Sequence, residues 1–144
     1  MALLVDTPHG PAPAHQLDAA WLAVCAALPT LPLITGGRSS GARVACRTAA
    51  ATNAVAVLCL AFPLITPKGA SRQDELDAVT VPLLVVQGEN DRFGVPSGAV
   101  LVSGDHGLKR DTPAVSARVG EWLDSLHRGG GPLDTGRANR LGGV

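Results

Sequence analysis

The stretch Leu31-Pro32-Leu33-Ile34-Thr35-Gly36-Gly37-Arg38-Ser39-Ser40-Gly41-Ala42-Arg43-Val44-Ala45 decides the fold. It opens as a short apolar run, Leu31 to Thr35, which the pair Gly36-Gly37 is expected to end. It continues as a helix-forming segment from Ala42 to Ala51. Between them, Gly37-Arg38-Ser39-Ser40-Gly41 has the form Gly-x-Ser-x-Gly. A serine on so sharp a strand-to-helix turn adopts a strained backbone, and the residues two before and two after it must be small. The turn lifts the hydroxyl clear of the sheet. It also aims the next backbone N–H, that of Ser40, at a developing oxyanion near a helix N-terminus. With 17 glycines in 144 residues, chance alone produces the pattern about one time in ten, so the strand before and the helix after it carry the weight.

Outward from this turn the chain alternates short apolar runs with helical patterns. Ala2–Val5 is a brief run before the breakers Pro8, Gly10, Pro11 and Pro13. From Ala14 to Leu28 the apolar residues Leu17, Trp21, Leu22, Val24, Cys25 and Leu28 fall at helical spacing. Ala54–Ala61, Pro82–Gln87 and Ala99–Ser103 read as buried strands, with a brief helix around Asp74 to Val79. Thr112-Pro113 starts a helix, capped by Thr112 or Asp111, whose stripe is Val115, Val119, Trp122, Leu123 and Leu126. The alternation predicts an α/β fold: a mostly parallel sheet of about five strands with flanking helices. Residues 1–127 form one domain, and the glycine-rich residues 128–144 are expected to be a disordered tail.

Composition narrows the function classes. Apolar residues are 46% and charged residues 17% of the 144, enough to bury a core. Twelve basic and twelve acidic residues leave no net charge, which argues against nucleic acid and anionic membranes as partners. The apolar start meets Asp6 at once and lacks a basic flank, so no signal peptide is expected. Cys25, Cys46 and Cys59 are an odd number without metal-site spacing. They read as reduced core residues of a cytoplasmic protein with no metal and no cofactor.

In a parallel sheet the chemistry sits in loops beyond the carboxyl ends of strands. Gly88-Glu89-Asn90-Asp91-Arg92-Phe93-Gly94 follows one strand, and Gly104-Asp105-His106-Gly107-Leu108-Lys109 follows the next. The order Ser39, Asp91, His106 is the serine–acid–histidine order of one hydrolase class. His106 would take the Ser39 proton and return it to the leaving group. Asp91 would hold the imidazole tautomer. Glu89 is the rival acid, closer to its strand end. Asp105 adjoins His106 and suits a cap or surface role, and Lys109 suits a solvated one. Arg38, beside the serine, could greet an acidic substrate group.

These blocks, with Leu60-Ala61-Phe62-Pro63-Leu64 between them, resemble successive blocks of the alpha/beta-hydrolase superfamily. The resemblance is to a dienelactone-hydrolase-like family shared with subunit 3 of the NSL histone-acetyltransferase complex and testis-expressed protein 30. It runs from about Ala14 to Leu126. It implies an alpha/beta-hydrolase fold and a Ser39–Asp91–His106 triad, without a substrate. Two departures stand out. The family carries proline where this chain has Arg92. It also has two strands before the nucleophile strand, the first ending in a His-Gly loop that gives the second oxyanion N–H. Here only Ala2–Val5 precedes, leading to His9-Gly10-Pro11. The match is therefore incomplete at the N-terminus. Gly10 is the candidate second donor if that loop persists; if Ala2–Val5 is the family's second strand, the loop is absent.

Two functions follow as expectations. One is a serine hydrolase cleaving an ester, lactone or thioester of a small molecule. The other is a catalytically weak scaffold that keeps the fold for partner binding, since losing one oxyanion donor costs about 10²–10³ in rate. A missing strand leaves a sheet edge exposed, and a homodimer through that edge is expected. A phosphate site at Gly36–Gly41 is the weakest reading, because no Lys-Ser or Lys-Thr closes the loop.

Overall fold

The computed structural model describes the backbone of Ala2–Leu4 and residues 12–28 and 30–129. Gly10 and the tail from residue 130 lie outside the described residues. Five parallel strands pair in sequence order: β1 (Ala2–Leu4), β2 (Ile34–Arg38), β3 (Ala56–Leu60), β4 (Leu83–Gly88) and β5 (Val100–Val102). Four helices accompany them: α1 (Ala14–Ala26), α2 (Ser40–Thr48), α3 (Gln73–Asp77) and α4 (Thr112–Arg128). The predicted α/β class and parallel sheet are thus observed.

Side chains alternate across a strand, so each strand feeds two cores. Val57, Cys59 and Val85 pack with Ala42, Ala45 and Cys46 of α2 and with Leu76 of α3. Leu58, Leu84, Val86 and Val102 pack on the other face, where Val115, Val119 and Trp122 of α4 close over them. Phe62, just past β3, is fully buried. Two arginines of α2 fasten its neighbours. Arg43 Nε and Nη2 donate to Glu75 of α3 at 2.9 and 2.6 Å, and Arg47 grips Asp18 of α1 at the same two distances. Such fork-on-fork pairs fix orientation as well as proximity.

Several element boundaries differ from the sequence reading. The run Leu31–Thr35 does not stop at Gly36: β2 continues through both glycines to Arg38. Both glycines pair with β3, opposite Leu58 and Cys59, and close neighbours leave no room there for a side chain. A Cβ on Gly36 would lie 2.7 Å from the Leu58 carbonyl oxygen of β3. α2 begins at Ser40, two residues before the predicted start, directly after the serine turn. On α1 only Trp21 of the predicted stripe is buried, and Val24 is 44% exposed. This helix rests on α2 rather than in the sheet, so a narrower face is covered. α4 is capped by Asp111, whose Oδ1 accepts from the Ala114 N–H at 3.0 Å, with Pro113 in the first turn. It extends through Arg128, and Gly129 N–H bonds the Ser125 carbonyl.

Candidate active site

Because every described strand is parallel, the loops after β2, β4 and β5 emerge at one end of the sheet. Ser39 follows β2, Asp91 follows β4 and His106 follows β5. Leu4 lies opposite Gly36, so the chain also leaves β1 at that end.

The serine turn has the strain its spacing requires. Ser39 has φ 53° and ψ −118°, a region that side chains rarely adopt. Its N–H donates to the Leu60 carbonyl at 3.0 Å, and its carbonyl accepts from Ala42 N–H at 3.1 Å. A Cβ on Gly37 would sit 2.3 Å from the Gly41 carbonyl carbon. The two glycines of the motif are therefore in contact across the turn, and Gly37 has no room for a side chain. Ser40 is the first residue of α2, so its N–H belongs to the turn whose backbone donors point out of a helix N-terminus.

The three side chains converge. Ser39 Oγ lies 2.9 Å from His106 Nε2, and His106 Nδ1 lies 2.7 Å from Asp91 Oδ2. A carboxylate can only accept, which puts the proton on Nδ1 and leaves Nε2 to accept from the serine hydroxyl. The Asp91 side chain is fully buried and that of His106 is 20% exposed. Asp91 Oδ1 accepts from the Phe93 N–H at 2.8 Å. Phe93 also meets the imidazole edge-on, with ring centroids 4.6 Å apart.

The other candidates stand elsewhere. Glu89 is exposed and accepts from Ser103 Oγ at 3.3 Å, which leaves Asp91 as the carboxylate on the histidine. Asp105 turns back to accept the Gly107 N–H at 2.8 Å, a local cap. Arg38 Nη2 reaches the His106 carbonyl at 3.4 Å.

Two residues that the sequence did not single out build the site. Gln87, the penultimate residue of β4, is completely buried. Its Nε2 donates to Asp91 Oδ2 at 2.7 Å and to the carbonyls of Phe62 and Gly94, both at 3.0 Å. Its Oε1 accepts from the Phe62 N–H at 2.9 Å. Two amide hydrogens serve three acceptors, so one hydrogen is shared. Gly88 is the second. A Cβ there would fall 2.3 Å from the Asp105 carbonyl oxygen, beside His106. Only glycine lets the histidine loop lie against the end of β4. The signal was present: Gly88 directly precedes the turn that carries the acid.

A cleft of about 880 Å³ opens beside His106. Another, of about 750 Å³, is lined by Cys46, Ala49, Ala54 and Val79. It lies toward the amino ends of β3 and β4, away from Ser39. Among the described residues no cluster of His, Cys, Asp and Glu could hold a metal ion. No described helix is long and apolar enough to cross a membrane.

Comparison with known proteins agrees with this architecture. The family described as an alpha/beta hydrolase domain matches residues 6–112, well over half the chain, and the protein belongs to that family. Among solved structures, a protein of Xanthomonas campestris pv. campestris assigned to the alpha/beta hydrolase superfamily superposes with a TM-score of 0.63. It shares 22% identity, over 78% of this chain and 70% of that one. Est1E from Butyrivibrio proteoclasticus gives a TM-score of 0.63 at 18% identity, over 80% and 71% of the two chains. Both likenesses show the fold. XC6422 from Xanthomonas campestris, described as a serine hydrolase without a lid, gives 0.60 at 25% identity, over 89% of this chain and 63% of its own. No curated protein matches the sequence.

Proposed function

We propose that the protein is a serine hydrolase that cleaves an ester, lactone or thioester of a small molecule through an acyl-enzyme. The single observation that carries this reading is the unbroken relay from Ser39 Oγ through both nitrogens of His106 to Asp91, at 2.9 and 2.7 Å. The four sequence blocks around it support a place in the dienelactone-hydrolase-like branch of the superfamily.

Ser39 Oγ attacks the substrate carbonyl as its proton passes to His106 Nε2. Asp91 stabilises the imidazolium that forms. The Ser40 N–H faces the oxyanion, and Gly10 is the second donor in this reading, each such donor being worth about 10²–10³ in rate. His106 then protonates the leaving group. Water, deprotonated by the same Nε2, attacks the acyl-enzyme and restores the Ser39 hydroxyl.

The test is turnover of p-nitrophenyl butyrate. Wild-type protein should release p-nitrophenol with a burst, Ser39→Ala should not, and Asp91→Asn should lose about 10⁴ in rate. Equal turnover by wild type and Ser39→Ala contradicts the reading. A folded wild-type protein without turnover of any ester favours the scaffold.

A further inference from the structure

The cleft beside His106 is lined by Arg38, Arg92, Lys109 and Arg110, with Asp105 as its one acidic lining residue. These cations come from the end of β2 and from the loops after β4 and β5, and the fold gathers them. Among the described residues none of the four forms an ion pair. By contrast, Arg43, Arg47 and Arg118 are each matched with a carboxylate. Asp105 does not neutralise the cleft alone, and its Oδ1 is turned to the Gly107 N–H.

The cations are placed by the same residues that place the relay. The Arg92 guanidinium lies 4.7 Å over the Phe93 ring, which itself abuts the imidazole. Gly104, at φ 128°, sits where a Cβ would come 3.0 Å from the Arg110 Cβ, so the turn fixes that arginine close to the histidine loop. Arg38 reaches across to the His106 carbonyl.

His106 is the wall that the cleft and the relay share. Its Nε2 must come within hydrogen-bond reach of the atom that departs. A leaving group protonated by Nε2 lies beside His106, the one relay residue that also lines the cleft of the four cations. We propose that this cleft binds a phosphorylated leaving group, so that the substrates are acyl thioesters or esters of a phosphate-bearing thiol or alcohol. A single carboxylate would call for one arginine. Four unpaired cations around one cavity suit the several oxygens of a phosphate or pyrophosphate. This inference rests on the serine-hydrolase reading for the position of the leaving group.

For a thioester the chemistry balances simply. The Ser39 Oγ–acyl carbon bond forms and the carbon–sulfur bond breaks. The departing sulfur takes the proton held on His106, and water later releases the acyl group as a carboxylic acid.

The test uses coenzyme A as the phosphorylated thiol. Calorimetric titration of Ser39→Ala protein with coenzyme A reads the cleft without turnover. Binding should weaken by about tenfold or more in Arg92→Ala/Arg110→Ala on that background, and by a similar factor from about 0.05 M to about 0.5 M NaCl. Inorganic pyrophosphate, titrated in parallel, should compete if the phosphates alone are recognised. In the wild type, kcat/KM for butyryl-coenzyme A should exceed that for S-butyryl-N-acetylcysteamine, which has the same acyl group and no phosphate. The double variant should lower that ratio by about tenfold or more. Absent coenzyme A binding, or binding indifferent to both arginines, overturns the proposal. Fluorophosphonate labelling of Ser39 separates the two claims. Labelling without coenzyme A binding keeps the hydrolase and removes the phosphate site. Failure to label removes the leaving-group assignment, whatever the cleft binds.

Discussion

Gln87 holds Asp91: the amide Nε2 donates to Oδ2 at 2.7 Å, the same oxygen that receives the His106 Nδ1–H. The same side chain ties both backbone groups of Phe62, so the end of β3 and the acid loop after β4 are joined through one buried amide. Gln87→Leu should break both connections. It leaves the Phe62 N–H and carbonyl without their partner in a dry site, which costs about 1–3 kcal/mol for each such group. Urea unfolding should register the loss of stability. The rate of Ser39 labelling should fall further than unfolding explains, even where the variant is fully folded. A variant that is destabilised but labels at the wild-type rate would make Gln87 structural only.

Gly88 is the point where the two loops touch. In Gly88→Ala the new methyl would meet the Asp105 carbonyl oxygen at 2.3 Å. The histidine loop must move, and a displacement of about 1 Å at a reacting group can cost about 100-fold in rate. Labelling of Ser39 is expected to drop by about that factor. Unchanged labelling would mean that the loops separate without disturbing the relay.

Gly120 gives the opposite outcome. It lies within α4, and a Cβ there meets nothing within 4 Å. Gly120→Ala should therefore stabilise the protein by about 0.5–1 kcal/mol through helix propensity alone. The check is a higher midpoint in thermal or urea unfolding; a lower one would show that the helix face is occupied.

The three thiols should differ in reactivity. Cys46 and Cys59 are buried with their sulfurs 3.4 Å apart. The hydrogen bond to Cys46, and then burial, push the Cys59 thiol well above the usual range. Cys25 is half-buried, and desolvation raises it too. The thiolate is the reactive form, so at pH 8 iodoacetamide should modify Cys25 first in the folded protein. Cys46 and Cys59 should react only after denaturation. Early alkylation of Cys59, read by peptide mass spectrometry, would contradict the packing between α2 and β3.

Much of the site is legible in the sequence because its constraints are local. Gly37, Ser39 and Gly41 must satisfy one turn among themselves, and that requirement is written within five residues. The positions of Asp91 and His106 just past strands are local too. What escapes is whatever depends on distant partners. Gly36 looks like a strand terminator until β3 is seen pressed against it. Gln87 looks like the polar end of a strand until Phe62, 25 residues earlier, folds onto it. The basic cleft is the extreme case. Lys109 reads singly as a solvated side chain, Arg38 as one that could greet an acidic substrate group, Arg92 as a departure from a family proline, and Arg110 attracts no notice. Their common cavity exists only in three dimensions.

The central claim is that His106 activates the Ser39 hydroxyl. Labelling with a fluorophosphonate, mapped by mass spectrometry of the peptide that carries Ser39, reads this without any knowledge of the substrate. The account predicts an adduct on Ser39 in the wild type and none in Ser39→Ala or in folded His106→Ala. An adduct formed as fast in His106→Ala as in the wild type, or an adduct on another residue in its place, would contradict it.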